Sequence, residues 1–483
     1  MASVKKNFLL SSAYQVLNII TPIVTTPLLS RTIGAEGNGI FSYTQSIANY
    51  FVLFAILGMS SYGVRTIAEC GTNRNKRSVA FWNAFGMNCV TGGAVVLLYA
   101  VYVFAFGGVY TPYYVFWGLW VVASVLDVSW LFFGMQDFFM PTVRNFITKF
   151  CSVACILFFV RDSGDVWVYV VAIAGASFAN SLIVWPFVGR CVDKVKPTWV
   201  CMRRHLKPNL VLFVPVVAVS FYTILDKIML GSIASLAEVG YFDYAEKISK
   251  MPLAVITALG TAVLPKMTEV VASGNLSHGK RLVSTTMWFM LACAFALCFG
   301  IIGIAPMLCP VFFGEGFGEC SSLMCVISLV IPIICVTNVI GNQFLLPCHR
   351  DYEYTASLLV GAGFNVIANL LLIPRFASMG AAIATVISEA AVLVVQSWQV
   401  RKDLDLRLYL VRAIPFVVIG LVMAVIIRIL GGWLGSLLFG PAVLGIQFVI
   451  GAAVYLTLAL IWSARNERDQ LISIFPWLRR CLK

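Results

Sequence analysis

The chain has 483 residues, 60% of them hydrophobic and only 11% charged, with a mean hydropathy of +0.92 and a formal net charge of +13. Too few polar side chains exist to cover a water-soluble domain of this size, so the composition excludes a soluble globular enzyme and requires a chain that folds in a bilayer. No Gly-rich phosphate loop is present, which excludes nucleotide hydrolysis within the chain as an energy source.

Apolar runs of roughly 20 residues, each able to cross about 30 Å of hydrocarbon as a helix, recur from end to end. They predict an all-α polytopic membrane protein with about fourteen spans. In chain order these lie at 7–30, 38–59, 80–105, 112–135, 142–160, 166–188, 209–231, 244–264, 282–305, 323–347, 352–373, 379–400, 408–430 and 441–463. The runs are continuous rather than alternating, which favours helices over barrel strands. The first run follows a basic start, MASVKKNFLL, but continues to Ser30 without a small-residue cleavage site, so it is expected to be a retained span rather than a cleaved signal.

With the N-terminus placed in the cytoplasm, about 27 of the Lys and Arg residues fall at cytoplasmic loops, tails or adjoining helix ends. Arg31, Arg161, Arg375 and Arg428 lie near the other face. The basicity therefore reads as a topology signal that sets cytoplasmic N- and C-termini, not as a nucleic-acid surface. The 14 Cys lack paired spacing and only three His accompany them, so neither metal sites nor disulfides are expected.

GIFSYTQSI at 39–47 returns as GYFDYAEKI at 240–248, with Gly39/Gly240, Phe41/Phe242, Tyr43/Tyr244 and Ile47/Ile248 identical. In the second copy Ser42, Gln45 and Ser46 become Asp243, Glu246 and Lys247. Six spans separate the copies, and an even number of crossings returns the chain to the same side. The expected organisation is therefore two parallel six-helix lobes, 1–189 and 209–402, related by a pseudo-two-fold axis along the membrane normal. A basic linker at 190–208, RCVDKVKPTWVCMRRHLKP, joins them, and 403–483 adds two further helices and a basic tail. Two such lobes form a transporter architecture.

The runs PLLSRTIGAEGNGIFSYTQSIANYF at 27–51, TILDKIMLGSIASLAEVGYFDYAEKISKMPLAVITALGTAVLPKM at 223–267 and NVIANLLLIPRFASMGAAIATVISEA at 365–390 resemble the polysaccharide transporters of the multidrug/oligosaccharidyl-lipid/polysaccharide exporter superfamily. The resemblance implies a flippase that moves an undecaprenyl-pyrophosphate-linked oligosaccharide to the outer leaflet of the bacterial plasma membrane by alternating access. It implies no cofactor beyond a coupling H+ or Na+, a monomer in contact with membrane lipids, and a polysaccharide polymerase as pathway partner. YAEKISKMPLAV at 244–255 is similar to a segment of the lipid II flippases carrying an acid-base pair followed five positions later by Pro. That similarity assigns Lys247 to the pyrophosphate, Glu246 to holding or releasing Lys247, and the proline to Pro252; Lys250, one turn along the helix, offers a second phosphate contact. An ion-coupled multidrug antiporter of the same superfamily is the alternative.

Other candidates come from the residues themselves. Asp226 and Lys227 are adjacent charges in a span, suited to a cavity wall or to an inter-helix clasp. Asp127 and Glu389 are intramembrane acids, candidates for proton or sodium coupling or for hydrogen-bonded structural carboxyls. Gln15/Asn18, Gln45/Asn49 and Asn365/Asn369 recur at helical spacing, so each pair shares one face, available to a sugar or to inter-helix hydrogen bonds.

Overall fold

The computed structural model describes residues 4–474 apart from 255, 258–266, 268 and 271–275, with side chains from residue 16 onward except at 215, 222 and 276–278. All regular structure among the described residues is helical. The helices are α1 Val4–Thr32, α2 Gly34–Ile56, α3 Met59–Glu69, α4 Arg74–Phe106, α5 Thr111–Leu126, α6 Ser129–Gly134, α7 Phe139–Phe159, α8 Val166–Ile183, α9 Trp185–Cys191, α10 Trp199–Arg204, α11 Leu206–Thr223, α12 Leu225–Ile233 and α13 Leu236–Lys250. They continue with α14 Leu276–Phe313, α15 Gly318–Ser328, α16 Val330–Ile340, α17 Asp351–Val400, α18 Leu406–Leu434, α19 Gly440–Asn466 and α20 Arg468–Ile474.

Eleven helical stretches among the described residues are long and apolar enough to cross a membrane. Twelve of the fourteen expected runs coincide with these stretches, and the described residues do not bear out the count of fourteen. The runs at 352–373 and 379–400 form one stretch, Asp351–Val400, which breaks at Ala377 with φ +46°. The runs at 7–30 and 244–264 include residues or side chains outside those described.

Helix boundaries follow local chemistry. Asn73 caps α4 by accepting from the Lys76 N–H at 3.0 Å, and Asp405 caps α18 by accepting from the Leu408 N–H at 3.2 Å. α13 stops at Lys250 before a turn at Met251 and Pro252, where proline has no N–H with which to continue the ladder. The second copy of the repeat therefore lies on a helix that starts before the apolar run at 244–264. Its helix begins at Leu236 and carries Lys247 about 16 Å further along its axis.

The chain divides into two compact units, Met1–Gly240 and Tyr241–Lys483. In the first, one core gathers around Phe41, Trp117 and Tyr169; Phe41 stacks on Tyr169 with centroids 3.7 Å apart, and the Trp117 indole donates to Thr44 Oγ1 at 3.0 Å. A second core surrounds Phe81, Trp130 and Phe132. The basic segment 190–208 is docked on α4: the Arg77 guanidinium and Trp82 indole donate to the carbonyls of Cys191 and Asp193, and Arg74 pairs with Asp193 at 2.9 Å. In the second unit, α14, α18 and α19 pack around Trp288, Phe299, Phe416 and Tyr455.

The glycines of the repeat mark a close helix crossing within the first unit. A Cβ built on Gly39 of α2 would collide with the carbonyl oxygen of Leu236, and one built on Gly240 would collide with that of Ala35. Each obstacle lies four residues before the other glycine, so the approach is reciprocal. Only a residue without a side chain permits backbones this close.

Candidate translocation and coupling sites

The charged copy of the repeat lies on α13 with its acids one turn before its bases. Lys247 Nζ pairs with Asp243 Oδ2 at 2.5 Å, and Lys250 Nζ with Glu246 Oε1 at 2.7 Å. This corrects the expected pairing of Glu246 with Lys247. Neighbouring residues on a helix point about 100° apart, whereas i,i+4 partners stack on one face, and acid before base is the favourable order. Both lysines also occupy the last turn of α13, where the helix dipole favours cations.

Asp243, absent from the predicted site, is the buried member of the cluster: its side chain is 2% exposed against 31% for Lys247. Its signal was the spacing within DYAEKISK. Two acids and two bases leave the four groups with no net charge. Lys247 is thus held by a carboxylate one turn away rather than left as a bare cation. At the matching positions of the first copy, Gln45 and Asn49 of α2 are half-buried and neutral.

Asp226 and Lys227 stand in the first turn of α12, just after the chain breaks at Ile224 between α11 and α12. Asp226 is buried and Lys227 is partly so. A carboxylate in the first turn of a helix meets unsatisfied N–H groups, which stabilises the charge where no water can.

Asp127 is found at a second break. With φ −72° and ψ 119° it separates α5 from α6, and its Oδ1 accepts from the N–H of Ser129 at 3.1 Å and from the Ser129 hydroxyl. Across from it α7 places Arg144, 5% exposed, with Nη1 3.5 Å from Asp127 Oδ1 and Nη2 donating to Ser129 Oγ at 2.8 Å. The network continues through Asn145 to Asn180, whose Nδ2 donates to Asn145 Oδ1 at 3.0 Å. Beside it lies a cavity of about 110 Å3 that Asn88 and Ser124 also line. Arg144 escaped the sequence reading because it was counted with the cytoplasmic helix ends. Only the partner shows that it is an interior cation.

Glu389 sits in the second half of α17, 5% exposed, and Asn365 and Asn369 in the first half are fully buried, with Asn369 Nδ2 donating to Asn365 Oδ1 at 3.1 Å. The two halves are tied by Ser388 Oγ donating to the Gly361 carbonyl at 2.9 Å and Gln396 Nε2 to Ser357 Oγ at 3.1 Å. In this structure Asn365 and Asn369 present no surface to a sugar and hydrogen-bond to each other one turn apart. Asn18 is half-buried on α1; Gln15 lies on the same helix, with its side chain outside the described residues. No group of three or more His, Cys, Asp or Glu able to hold a metal occurs among the described residues.

A profile of the family described as "Polysaccharide biosynthesis protein" matches residues 4–271. A protein of Escherichia coli (strain K12), named as a candidate O-antigen transporter, is 24% identical over 402 residues, which is 81% of this chain and 95% of that protein. A Haloferax volcanii protein named for a flippase of low-salt glycan biosynthesis is 20% identical over 258 residues, covering 53% of this chain and 54% of its own. Among solved structures, the lipid II flippase MurJ in an inward closed conformation superposes with a TM-score of 0.74 at 15% identity, over 96% of this chain and 99% of its own. An inward-facing multidrug resistance MATE family transporter of the MOP superfamily gives 0.64 at 14% identity, over 81% and 94%. At these identities the structural likeness establishes the fold.

Proposed function

We propose, for a chain that belongs to the polysaccharide biosynthesis protein family, that it is a flippase for lipid-linked oligosaccharides and that its substrate is carried on undecaprenyl pyrophosphate. It is a multi-pass membrane transporter, not an enzyme. The reading places it in the bacterial plasma membrane with both termini cytoplasmic, working by alternating access of the lobes 1–189 and 209–402 about the segment 190–208. The observation that carries it is the α13 cluster: a partly exposed lysine held by a buried acid one turn away.

The physical demand explains the cluster. A pyrophosphate crossing hydrocarbon needs a counter-charge, because an unpaired ion there costs several kcal/mol or more. A lysine left bare would carry the same penalty when no substrate is present. Pairing Lys247 with Asp243 and Lys250 with Glu246 keeps the empty protein neutral at this point. Substrate phosphate then replaces the carboxylate, and release returns the lysine to it. Lysine offers a point charge rather than the fork of arginine, which suits a contact that must be exchanged.

Asp127 and Glu389 are the proposed coupling acids for H+ or Na+. Asp127 also accepts from the Ser129 N–H at the start of α6 and lies 3.5 Å from Arg144. Asp226 and Lys227 fit the wall of the path, at a helix start that stabilises the acid. The multidrug antiporter alternative predicts transport of organic cations, for which a lysine-bearing cluster is poorly suited. Flipping of a fluorescent polyprenyl-pyrophosphate oligosaccharide in proteoliposomes tests the proposal: transport by wild type that is lost in Lys247→Ala supports it. Cation efflux with no lipid flipping would favour the antiporter.

A further inference from the structure

Where α17 turns into α18, the connection at 401–405 and the start of α14 enclose a groove of about 620 Å3. Four cations line it, Lys280, Arg401, Lys402 and Arg407, with two carboxylates, Asp403 and Asp405. Both carboxylates have structural tasks. Asp403 Oδ2 accepts from Arg350 Nη1 at 2.7 Å, and Asp405 caps α18 through the Leu408 N–H. Arg412, one turn further along α18, is occupied by Glu467 at 2.6 Å. Among the described residues, none of the four lining cations makes an ion pair.

The surroundings are those of a membrane interface. The Arg401 guanidinium lies 4.2 Å from the ring centroid of Trp398, which is 64% exposed, an amphipathic aromatic where helices meet headgroups. Directly beyond the cations α18 turns an exposed apolar face outward through Leu410, Val411, Ile414 and Val418. An excess of positive charge at one end of an exposed apolar helix face matches an amphiphile carrying a phosphate.

We propose that this groove binds the phosphate of an anionic membrane lipid, with its acyl chains along the exposed face of α18. The site is separate from the α13 cluster and requires only that the chain spans a bilayer, so its failure would leave the flippase reading intact. Free phosphate offers the same charge without the chains, and phosphatidylcholine offers the chains with its charge cancelled by choline.

The test is native mass spectrometry of the full-length protein in detergent, titrated with dioleoylphosphatidylglycerol, dioleoylphosphatidylcholine or inorganic phosphate, after thermal melts confirm that each variant is folded. The wild type should retain phosphatidylglycerol over phosphatidylcholine, and equimolar inorganic phosphate should not displace it. Each cation near an anionic headgroup accounts for about a fivefold change in affinity, so Arg407→Gln should weaken retention about fivefold and R401Q/K402Q/R407Q on the order of a hundredfold. R65Q/K76Q/R375Q removes the same charge from other exposed positions and should leave retention unchanged. Equal losses in the two triple variants, full retention in the groove variants, or displacement by inorganic phosphate would overturn the proposal. If the groove triple does not fold, Arg407→Gln and Lys402→Gln singly carry the same test.

Discussion

Replacing either glycine of the repeat by alanine sets a methyl group against a backbone carbonyl: Leu236 for Gly39→Ala, Ala35 for Gly240→Ala. No rotamer change relieves a clash with backbone, so α2 and the start of α13 must part by roughly 1.5 Å before ordinary contact distances return. Overpacking of this kind costs about 1–3 kcal/mol, and a backbone obstacle puts each substitution near the upper end. The better helix propensity of alanine offsets at most about 1 kcal/mol of that. Because the approach is reciprocal, the separation that admits one methyl admits the other. The double variant should therefore lose little more than either single one, giving a coupling of about 2 kcal/mol against additivity. Tryptophan fluorescence during thermal unfolding in detergent, at one fixed scan rate, reads this cycle. Neutral single variants would refute the close crossing, and strict additivity would refute its reciprocity.

Asp243→Asn removes the carboxylate that holds Lys247, so affinity for the pyrophosphate headgroup should rise on the order of tenfold while turnover falls through slower release; equilibrium binding and flipping rates measured together check both directions. Asp127→Asn and Glu389→Gln should flatten the dependence of flipping on an imposed proton or sodium gradient, and Asp127→Asn alone should also lower thermal stability by about 1–3 kcal/mol, since it weakens the contacts with the Ser129 N–H and Arg144. His205, half-buried at 2.6 Å from the Tyr62 hydroxyl, has its pKa lowered from 6.5 by burial. The unfolded chain therefore binds this proton more readily than the folded one, so stability is full above pH 6.5 and declines as pH falls below it; His205→Asn should remove that part of the decline in melts run across this range.

The fold class was legible because bilayer thickness imposes a length on every apolar run, and composition alone excluded water as the solvent. The breaks inside those runs were not. Ile224 carries no distinctive residue, and at Asp127 the acid that looked like an isolated intramembrane charge accepts from the Ser129 N–H at the break; the break at Ala377 was legible, because it falls between the runs at 352–373 and 379–400. Adjacency in sequence misled at Glu246 and Lys247, because a helix pairs positions one turn apart. The same rule, applied to DYAEKISK, would have named Asp243. Arg144 could not be found by counting charges near helix ends, since what distinguishes it is Asp127 at the break between α5 and α6. Asn365 and Asn369 were correctly placed on one face, but periodicity does not say whether a face meets a cavity or another helix. The repeated glycines were visible at once, and only the structure supplied their reason, a crossing that each side chain would block.

The central claim is that Lys247 carries a lipid-linked pyrophosphate across the bilayer. Its most direct test is single-turnover flipping of a fluorescent polyprenyl-pyrophosphate oligosaccharide in proteoliposomes containing wild type, Lys247→Arg or Lys247→Ala. The account predicts transport by wild type, partial transport by Lys247→Arg with slower release, and loss in Lys247→Ala with folding intact. Equal rates for all three would contradict it.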